Sequence, residues 1–439
     1  MKLPHPLILL IGAVGVAAAL TWALPAGEYD RRDDEATGRR VVVAGTYHEV
    51  EPSPVGVWGA LVALPRGLVD AADVIVVILF VGGAWVVVDR MGTLGRLVGS
   101  LVSRFRARGD LAIPVLSFFF ASMGALENMQ EEIIPLVPVL LLLGRGLGFD
   151  AVVVVAMSLG AAMIGSAFGP TNPFQAGIAM KLAELPPVSG GGLRLAMFLA
   201  GFVLWTGWTM RYARATRAAA DLGSDAATGG ATGKDVAIFV LLVSPMAAYV
   251  YGAMLLGWGF NELSAGFFAA GVLAGLAGGL GTGGTAKAYL DGMQSLLPAA
   301  VLVGVARSIS VVLEDGRAID TILNGLATPL AGGSAAVSAL LMIPVHAVIH
   351  VAVPSVSGQA VLTMPVLVPL SDLLSISRQA TVLAYQTGAG LTDMLTPTNG
   401  ALMAVLLAAG VPYGRWLRFA LGGVAIALVV GVAGILLAL

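Results

Sequence analysis

Long apolar runs dominate the chain, and polar residues are confined to a few short stretches. Runs of roughly 20 apolar residues, the length a helix needs to cross a bilayer, recur from one end of the sequence to the other. Lipid offers no hydrogen bonds, so the backbone must pair its own polar groups, which a helix does within each segment. A barrel would instead show alternating strands of about ten residues. The pattern predicts an all-α polytopic membrane protein with about nine transmembrane helices.

Uninterrupted spans are predicted where an apolar run has no polar centre. These runs cover residues 7–24, 74–88, 195–210, 236–256, 265–280, 297–313 and 419–439. Residues 26–54 are predicted to form a polar loop, and residues 55–69 have the spacing of an amphipathic helix. The first run resembles a signal peptide, but its apolar core is long for that role, so we interpret it as the first transmembrane helix.

Two further apolar segments have polar centres. Residues 111–147 contain GALENMQEEIIP, and residues 335–374 contain PSVSGQA. Half of such a segment, about 15 residues and about 22 Å as a helix, is too short to cross ~30 Å of hydrocarbon. We therefore predict two re-entrant hairpins, each of which turns at its polar tip and returns to the side it entered from.

Each predicted hairpin is followed by a long span that contains Pro-Thr-Asn. The triplet lies at 170–172 within residues 152–182 and at 397–399 within residues 380–409. Proline removes a donor and disfavours helix before it, whereas asparagine is a good N-cap for a helix that restarts. A break exposes carbonyl groups, which suit a small cation, and amide groups, which suit a carboxylate. We predict two broken helices that bind ligands, in preference to two simple proline kinks.

The same order of elements occurs twice along the chain. The triplets are 227 residues apart, Pro138 and Pro365 share that offset, and Asp89 and Asp315 differ by 226. The chain crosses the membrane an odd number of times between equivalent spans, so the two repeats should be inverted, as is typical of secondary transporters. We predict a first inverted repeat at residues 1–210, a cytoplasmic linker at 211–234 and a second repeat at 235–439.

Composition and charge narrow the classes of function. The chain is 58% hydrophobic and only 11% charged, and it contains no cysteine, which excludes disulfides and thiolate chemistry. No basic tract suggests a nucleic-acid partner. The distribution of lysine and arginine moderately favours a cytoplasmic amino terminus, and we expect a multi-pass protein of the bacterial cytoplasmic (inner) membrane.

Polar residues at the tips and breaks are the candidate site residues. The candidates for binding the solute are Asn128, Glu131, Thr171, Asn172, Ser355, Ser357, Gln359, Thr398 and Asn399. The candidates for ion coupling, with Na⁺ or H⁺, are Glu127, Glu131, Glu132, Gly169, Thr171, Thr392, Asp393 and Thr396.

The three neighbouring glutamates cannot all be ionised cheaply, so at least one should bind a proton or face a cation. Arg307 is a candidate charge partner for them, although its side chain could equally extend to the membrane surface. His346 and His350 have i, i+4 spacing that can hold a metal, but no third ligand is evident nearby. We therefore favour packing or hydrogen bonding within the hairpin, and we predict no metal site apart from a possible Na⁺ site.

The chain resembles the YfcC-like carriers of the DcuC/AbgT branch of the ion-transporter superfamily. The resemblance covers nearly the whole chain and rests on PAGEYDR, EEIIP, ARSISVVLEDG, PSVSGQAVLTMP and TPTNGALM. It implies inverted repeats, two re-entrant hairpins, a homodimer and elevator-type alternating access. It also implies activity either as a basic amino acid antiporter or as a C4-dicarboxylate carrier.

One motif departs from the family pattern. Relatives read GDGLTN before the second break, whereas residues 388–393 here read GAGLTD. The carboxylate thus stands at Asp393 instead of position 389, one helical turn away, on the same face and about 6 Å different in depth. The coupling-ion ligands of relatives therefore do not carry over directly.

These features favour a secondary active transporter over two rival classes. The tips carry acids but no lysine or arginine to hold a dicarboxylate, so a basic or zwitterionic amino acid is favoured as the solute, with a C4-dicarboxylate as the alternative. Transport would be coupled to Na⁺ or H⁺, or proceed by exchange, and no other cofactor is expected. An intramembrane enzyme using Glu131 and Asp393 is the alternative of another class, but no protease or lipid-phosphotransferase motif is present, so we expect no enzymatic activity. A channel would need no pair of hairpins on opposite faces.

Overall fold

Helices build almost the whole protein, and short strands occur only near the amino terminus. A computed structural model of the chain describes residues 5–34, 39–105, 109–186, 188–217, 230–256 and 258–439. Within these ranges, nine helices are long and apolar enough to cross a membrane. The protein is therefore an all-α polytopic membrane protein, as the apolar pattern predicts. The middle of the predicted linker, residues 218–229, lies outside the described residues.

The described elements up to residue 217 comprise the strands and the helices that precede the linker. The strands are β1 (Gly27–Glu28), β2 (Arg31–Asp34), β3 (Arg39–Val42) and β4 (His48–Glu49). The helices are α1 (Pro6–Ala23), α2 (Val57–Asp70), α3 (Ala72–Arg90), α4 (Thr93–Phe105), α5 (Ala112–Glu127), α6 (Val137–Gly146), α7 (Ala151–Val155), α8 (Ala161–Phe168), α9 (Ile178–Leu182) and α10 (Gly191–Thr216). Short 3-10 turns cover Gly109–Leu111 and Glu131–Leu136, and π-helical turns cover Ala156–Gly160 and Pro173–Gly177.

The described elements after the linker are helical. They are α11 (Gly233–Leu255), α12 (Phe260–Gly278), α13 (Gly281–Asp315), α14 (Ile319–Ala327), α15 (Ala335–Ala352), α16 (Val356–Leu373), α17 (Arg378–Asp393), α18 (Gly400–Ala408) and α19 (Tyr413–Ala438), with a 3-10 turn at Thr328–Gly332.

Three of the four arms of the predicted hairpins are longer than the sequence suggested. Gly109–Glu127, Ala335–Ala352 and Val356–Leu373 all belong to the nine helices that could cross a membrane by length and composition. An 18-residue helix rises about 27 Å, so length does not separate a re-entrant arm from a full crossing here. The re-entrant arrangement thus stays a prediction. Of the other predicted spans, residues 7–24 form α1, whose apolar part Leu7–Ala23 is slightly shorter than the nine helices, and residues 236–256 lie on α11, which is not among the nine.

Helix α13 begins earlier than predicted. The expected span started at residue 297, but the helix runs for 35 residues from Gly281 because its polar first part also packs inside the protein. The Tyr289 hydroxyl donates a 2.6 Å hydrogen bond to the backbone carbonyl of Phe80 on α3. Gly83 provides the space for this ring, since a Cβ there would lie 2.3 Å from it. Polar residues on the outer face of the helix concealed this packing from the apolar pattern.

Both Pro-Thr-Asn triplets interrupt a helix, as predicted. Helix α8 ends at Phe168, and helical structure resumes at Pro173 after Asn172, whose Oδ1 accepts the N–H groups of residues 174 and 175 at 3.0 and 2.9 Å. Helix α17 ends at Asp393, and α18 starts at Gly400 after Asn399, whose Oδ1 accepts the Leu402 N–H at 2.7 Å. Each asparagine therefore caps the second half-helix of its pair.

Helices α5 and α8 touch along their backbones. A Cβ on Gly124 would lie 1.9 Å from the carbonyl oxygen of Ala162, and one on Gly165 would lie 1.9 Å from that of Ala121. Small residues permit such close approach in membrane helices. This contact holds the first arm of the 111–147 segment against the helix that leads into the first break.

The predicted polar loop at residues 26–54 contains an ordered β-ribbon. Strand β1 pairs with β4 and β2 with β3, both antiparallel. Asp320 of α14 anchors the ribbon, because its carboxylate accepts the Tyr29 N–H at 2.9 Å and a hydrogen bond from Arg31 at 2.9 Å. Burial and the nearby Asp320 charge raise the pKa of Tyr29 to about 12, so its hydroxyl stays protonated and donates to Asn324.

Candidate functional site

A cavity of about 540 Å³ lies at the polar centre of the protein. Four named regions describe the site: the first tip (residues 127–132), the second tip (350–359), the first break (169–172) and the second break (394–399). Parts of the first tip, the second tip and the second break line this cavity, which we call the central cavity, together with residues of α2, α3 and α13. The region that the sequence singled out as chemically unusual thus encloses space for a small solute.

Asp393 is the centre of a buried hydrogen-bond network at the second break. Its Oδ1 accepts a 2.5 Å hydrogen bond from Asn399 Nδ2, and its Oδ2 accepts one of 3.2 Å from Gln130 Nε2 of the first tip. Asn399 Nδ2 also donates to Gln130 Oε1 at 3.2 Å. The side chains of all three residues are buried. The first tip and the second break are therefore joined directly, although they belong to different predicted repeats.

The second tip completes this network through a histidine. His350 Nε2 lies 2.7 Å from Asp393 Oδ1, and His350 Nδ1 lies 2.7 Å from Gln359 Oε1. Gln359 Nε2 donates to the backbone carbonyl of His346 at 2.9 Å. His350 and Gln359 are fully buried. The prediction that the histidines serve hydrogen bonding in the hairpin is confirmed for His350, but its bond to Asp393 was not predicted.

The first break forms its own polar cluster with the first tip. Asn172 Nδ2 donates to Asn128 Oδ1 at 3.1 Å, and Ser166 Oγ donates to the same oxygen at 2.8 Å. Asn128 has a left-handed backbone, with φ of 61°, which asparagine tolerates and which turns the chain at the end of α5. Thr171 is exposed, and its hydroxyl donates to the Ala125 carbonyl. Of the described residues that line the central cavity, none comes from the first break itself, so it reaches the cavity only through Asn128 and Phe174.

Carboxylates dominate the charge around the central cavity. In the described part of the chain, its lining includes one arginine, Arg307, and six carboxylates: Asp70, Asp73, Glu127, Glu131, Glu132 and Asp393. Glu127 is only 6% exposed, and neither of its carboxylate oxygens has a hydrogen-bond partner among the described residues. Glu132 accepts the Gln130 N–H at 3.1 Å. A buried carboxylate without a partner is costly, so Glu127 is a position where a proton or a cationic ligand would be stabilised.

Arg307 does not pair with the glutamates of the first tip. Its guanidinium lies 3.6 Å from Asp70 and 3.8 Å from Glu314, the second of which is on its own helix, α13. Asp70 and Glu314 lie closer to the guanidinium group of Arg307 than the glutamates of the first tip do. They are therefore its acidic neighbours, in place of the predicted Glu127, Glu131 or Glu132. Arg307 nevertheless lines the central cavity.

The remaining candidates lie around the two breaks and the second tip. Ser355 caps α16 by accepting the Gly358 N–H, and both Ser355 and Ser357 line the central cavity. Thr396 and Thr398 share a hydrogen bond of 2.8 Å between their hydroxyls. The hydroxyl of Thr392 donates to the Gly388 carbonyl, and the carbonyl of Gly169 accepts from Gln386 at 3.5 Å. Thr392, Thr396 and Gly169 thus satisfy backbone or neighbouring polar groups and do not line the cavity.

A second cavity of about 600 Å³ lies between the β-ribbon, α13 and the second tip. We call it the ribbon cavity. Arg307, Ser355 and Ser357 line both cavities, so the two spaces adjoin at the second tip. The charged residues of the ribbon cavity are Arg31, Arg40, Arg307, Arg317, Glu28, Glu314 and Asp320. Among the described residues, its lining therefore has one more cation than anions, the reverse of the central cavity.

Sequence reasoning missed several lining residues. Gln130 lies in the stretch GALENMQEEIIP but is not among the predicted site residues, because only the fold shows that its amide reaches Asp393 and Asn399. Asp70 and Asp73 flank the junction of α2 and α3, where the pattern showed only the end of an amphipathic helix. The polar pair of aspartates at the start of a membrane span was the signal that could have identified this junction.

Comparisons with known proteins agree with a transport function. The model of the family described as "DcuC: C4-dicarboxylate anaerobic carrier" matches residues 3–439. The Escherichia coli (strain K12) protein named "Putative basic amino acid antiporter YfcC" is 30% identical, and the match covers 95% of this chain and 92% of that protein. A Haemophilus influenzae protein named only as uncharacterized is 24% identical and covers 98% of this chain and 95% of its own length.

Two solved structures are similar over nearly the full length. The YdaH transporter of Alcanivorax borkumensis has 18% identity and a TM-score of 0.46, with 98% of each chain covered. MtrF of Neisseria gonorrhoeae, described as illuminating a class of antimetabolite efflux pumps, has 19% identity and a TM-score of 0.44, with 99% of this chain and 94% of that chain covered. The family model and the Escherichia coli relative describe transporters and not enzymes. The chain is a multi-pass membrane protein that belongs to the DcuC family of carriers.

Proposed function

We propose that the protein is a secondary active transporter for a small amino acid that carries a cationic group, and that it works by elevator-type alternating access. The observation that carries this proposal is the charge of the central cavity. Six carboxylates face one arginine there, and Arg307 already lies near Asp70 and Glu314. A cationic group would be attracted to this lining, whereas a dianion would be repelled.

The carboxylate of the amino acid has a separate place at the start of α18. Gly400 and Ala401 line the central cavity at the amino terminus of this nine-residue helix. The Asn399 Oδ1 atom accepts the Leu402 N–H, which leaves the N–H groups of Gly400 and Ala401 to face the cavity. The positive end of the helix dipole stabilises a bound carboxylate, typically by about 0.3–1 kcal/mol.

We assign Glu127 and Glu131 as the side chains that bind the cationic end of the solute. Both line the central cavity on the first tip, and Glu127 has no partner among the described residues. A cationic group there would remove the cost of a buried, unpaired carboxylate. Asn128, Ser355, Ser357 and Thr398 complete the polar lining around the solute.

The moving body, in this proposal, contains both tips and both breaks. The asparagine caps at the two breaks have matching positions in the two halves of the chain, which supports an inverted repeat with two re-entrant hairpins. Na⁺, H⁺ or a counter-transported amino acid would drive transport. We also propose a homodimer in the bacterial inner membrane with a cytoplasmic amino terminus, in keeping with the moderate excess of basic residues in the predicted inner loops.

Counterflow in proteoliposomes tests the proposal. Purified protein is reconstituted into liposomes loaded with unlabelled arginine, lysine or glutamine, and the uptake of the corresponding labelled amino acid is followed. We expect faster uptake of label into loaded than into empty vesicles, with the strongest effect for arginine or lysine. A channel or an enzyme would give no such acceleration. Equal uptake by loaded and empty vesicles for every amino acid would contradict the proposal.

A C4-dicarboxylate is the second candidate solute. The description of the family favours it, as do the four arginines that line the ribbon cavity. Labelled succinate and fumarate in the same counterflow assay separate the two candidates. Acceleration by internal succinate but not by internal arginine would assign the protein to dicarboxylate transport.

A further inference from the structure

Two backbone groups fix the direction of every hydrogen bond around Asp393. At one end, the Leu402 N–H can only donate, so Asn399 must present Oδ1 to it and Nδ2 to Asp393. At the other end, the His346 carbonyl can only accept, so Gln359 must present Nε2 to it and Oε1 to His350. The two amide side chains therefore cannot be turned over without breaking a bond to the backbone.

This fixed direction determines the state of the His350 ring. Gln359 Oε1 is an acceptor 2.7 Å from His350 Nδ1, so Nδ1 must carry a hydrogen. A neutral ring with hydrogen on Nδ1 has a bare lone pair on Nε2. That lone pair would point at Asp393 Oδ1 from 2.7 Å. If the carboxylate were also ionised, two acceptors would face each other at hydrogen-bond distance, which is repulsive.

One proton between His350 Nε2 and Asp393 Oδ1 resolves the conflict. Asp393 already receives hydrogen bonds from Asn399 on Oδ1 and from Gln130 on Oδ2, and such donors favour the ionised carboxylate. The proton therefore resides on His350, which makes an imidazolium–carboxylate pair. Oδ1 then accepts hydrogen bonds from both Asn399 and His350, and Oδ2 accepts one from Gln130.

We propose that His350 and Asp393 form a proton-binding site that latches the second tip to the second break. With the proton bound, the ion pair holds the end of α15 against the end of α17. When the proton leaves to water in the central cavity, which Asp393 lines, the two lone pairs repel and the tip is released. The hydrogen bond from Gln130 to Asp393 also connects this site to the first tip.

Several elements bring other titratable groups near the pair. On α15, His346 lies one turn before His350, and its Nε2 has no partner among the described residues. On α17, the ring of Tyr385 packs against His346 at 5.3 Å between centroids, with its hydroxyl bonded to the Val356 carbonyl. The central cavity that Asp393 lines also contains Glu127, Glu131 and Glu132 of the first tip, Asp70 of α2, Asp73 of α3 and Arg307 of α13. None of the carboxylates and neither His346 nor Arg307 forms a hydrogen bond with His350 among the described residues, so Asp393 is the ionic partner of His350 there.

The latch adds to the proposed transport function that the coupling ion is a proton and that it binds at His350 and Asp393. Its role in coupling rests on that proposed function. Opening and closing of the second tip would be linked to release and uptake of one proton. A proton gradient would then bias the direction in which the loaded carrier moves.

The protonation state can be measured without any transport assay. The chain has four histidines, so [¹⁵N]histidine-labelled protein in detergent gives few signals, and the His350→Gln variant assigns the one of interest. At pH 7 we expect both ring nitrogens of His350 to carry hydrogen in the wild type. In Asp393→Asn the Nε2 hydrogen should be lost, since a buried imidazolium without an anionic partner is costly. A neutral His350 in the wild type, or an imidazolium that persists in Asp393→Asn, would overturn the proposal.

The second measurement addresses coupling. Uptake of labelled amino acid into proteoliposomes is compared with and without an inwardly directed proton gradient, for the wild type, His350→Gln and the control His48→Gln, which changes an exposed histidine of β4. We expect the gradient to accelerate uptake by the wild type and the control, and the ratio of the two rates to fall to unity in His350→Gln while counterflow remains measurable. A gradient effect of wild-type size in His350→Gln would exclude the latch from coupling. If no solute shows counterflow, the proposed function fails, but the nitrogen spectra still decide whether the proton site exists.

Discussion

Asn399 donates a 3.2 Å hydrogen bond to Gln130, a residue 269 positions earlier in the chain. Both amides also bind Asp393, so the three side chains form a closed triangle. This triangle joins the first tip to the second break and thereby links the two halves of the chain at the central cavity. Any movement that separates the halves at this point must break two or more buried hydrogen bonds, at a cost of about 1–3 kcal/mol for each buried group left unsatisfied.

Asn399→Ala is expected to abolish transport and leave the protein folded. The change removes the cap of α18, which costs about 1 kcal/mol, and also the donors to Asp393 and Gln130. Counterflow and size-exclusion profiles measure the two effects. The control is Asn261→Ala, at an exposed position in the first turn of α12. Wild-type transport by Asn399→Ala would remove the second break from the site.

Asn172→Ala tests the first break in the same way. Here the lost groups are the cap of the helical segment after the break and the donor to Asn128. Because Asn172 does not line the central cavity, we expect the defect to act through the position of the first tip and to raise KM as well as lower the rate. An unchanged KM together with a normal rate would show that the first break only shapes the backbone.

Glu131→Gln should weaken binding of a cationic solute. Gln has nearly the same shape but no charge, and interactions with a charged partner contribute about 1.5–3 kcal/mol, equivalent to about tenfold to a hundredfold in affinity. Apparent affinities for arginine and for glutamine are compared by competition in the counterflow assay. The control Glu51→Gln changes an exposed acid outside the cavities. Equal loss for arginine and glutamine, or no loss for either, would contradict our assignment of Glu131 to the cationic end.

Asp320→Ala is expected to release the β-ribbon. The substitution leaves the Tyr29 N–H without its acceptor and removes the ion pair with Arg31, which together should cost about 1–3 kcal/mol. Limited proteolysis with trypsin should then cut within residues 27–49 about tenfold faster. The control Asp33→Ala removes an exposed acid of the same ribbon. If both variants are cut at the wild-type rate, Asp320 does not anchor the ribbon.

Gly165→Ala should destabilise the protein through the contact of α5 with α8. The added methyl group would overlap the Ala121 carbonyl oxygen, and overpacking of this kind typically costs about 1–3 kcal/mol. Thermal unfolding in detergent should show a lower apparent Tm. Gly207→Ala on α10 is the matched control, because no atom lies within 4 Å of its added Cβ. A Tm equal to that of the control would mean that the two helices can separate without loss.

Local chemistry made the two breaks predictable from the sequence. Proline before an asparagine cap is a signal contained within a few residues, so residues 170–172 and 397–399 could be placed without knowledge of the fold. The same holds for the helical class, which follows from the length of the apolar runs. The full extent of α13 was missed because its first part buries Thr285, Tyr289 and Gly292 beside its few aliphatic residues.

The contacts at the centre of the candidate site could not be predicted in this way. His350 meets Asp393 from 43 residues away, and Gln130 meets it from 263 residues away. One sequence shows that these residues are polar within apolar surroundings, but the partner of each depends on how distant helices pack. Arg307 illustrates the same limit, since its acidic neighbours turned out to be Asp70 and Glu314.

The opposite charge excess of the two adjoining cavities has a consequence for selection among solutes. A molecule that passes from the ribbon cavity to the central cavity crosses from a lining with more arginines to one with more acids, past the shared Arg307. A simple dianion gains attraction only in the first chamber, and a polyamine only in the second. A zwitterion is attracted in both cavities. Two cavities of opposite charge excess, passed one after the other, would therefore select solutes that carry both charges, even if no individual side chain fitted the solute closely.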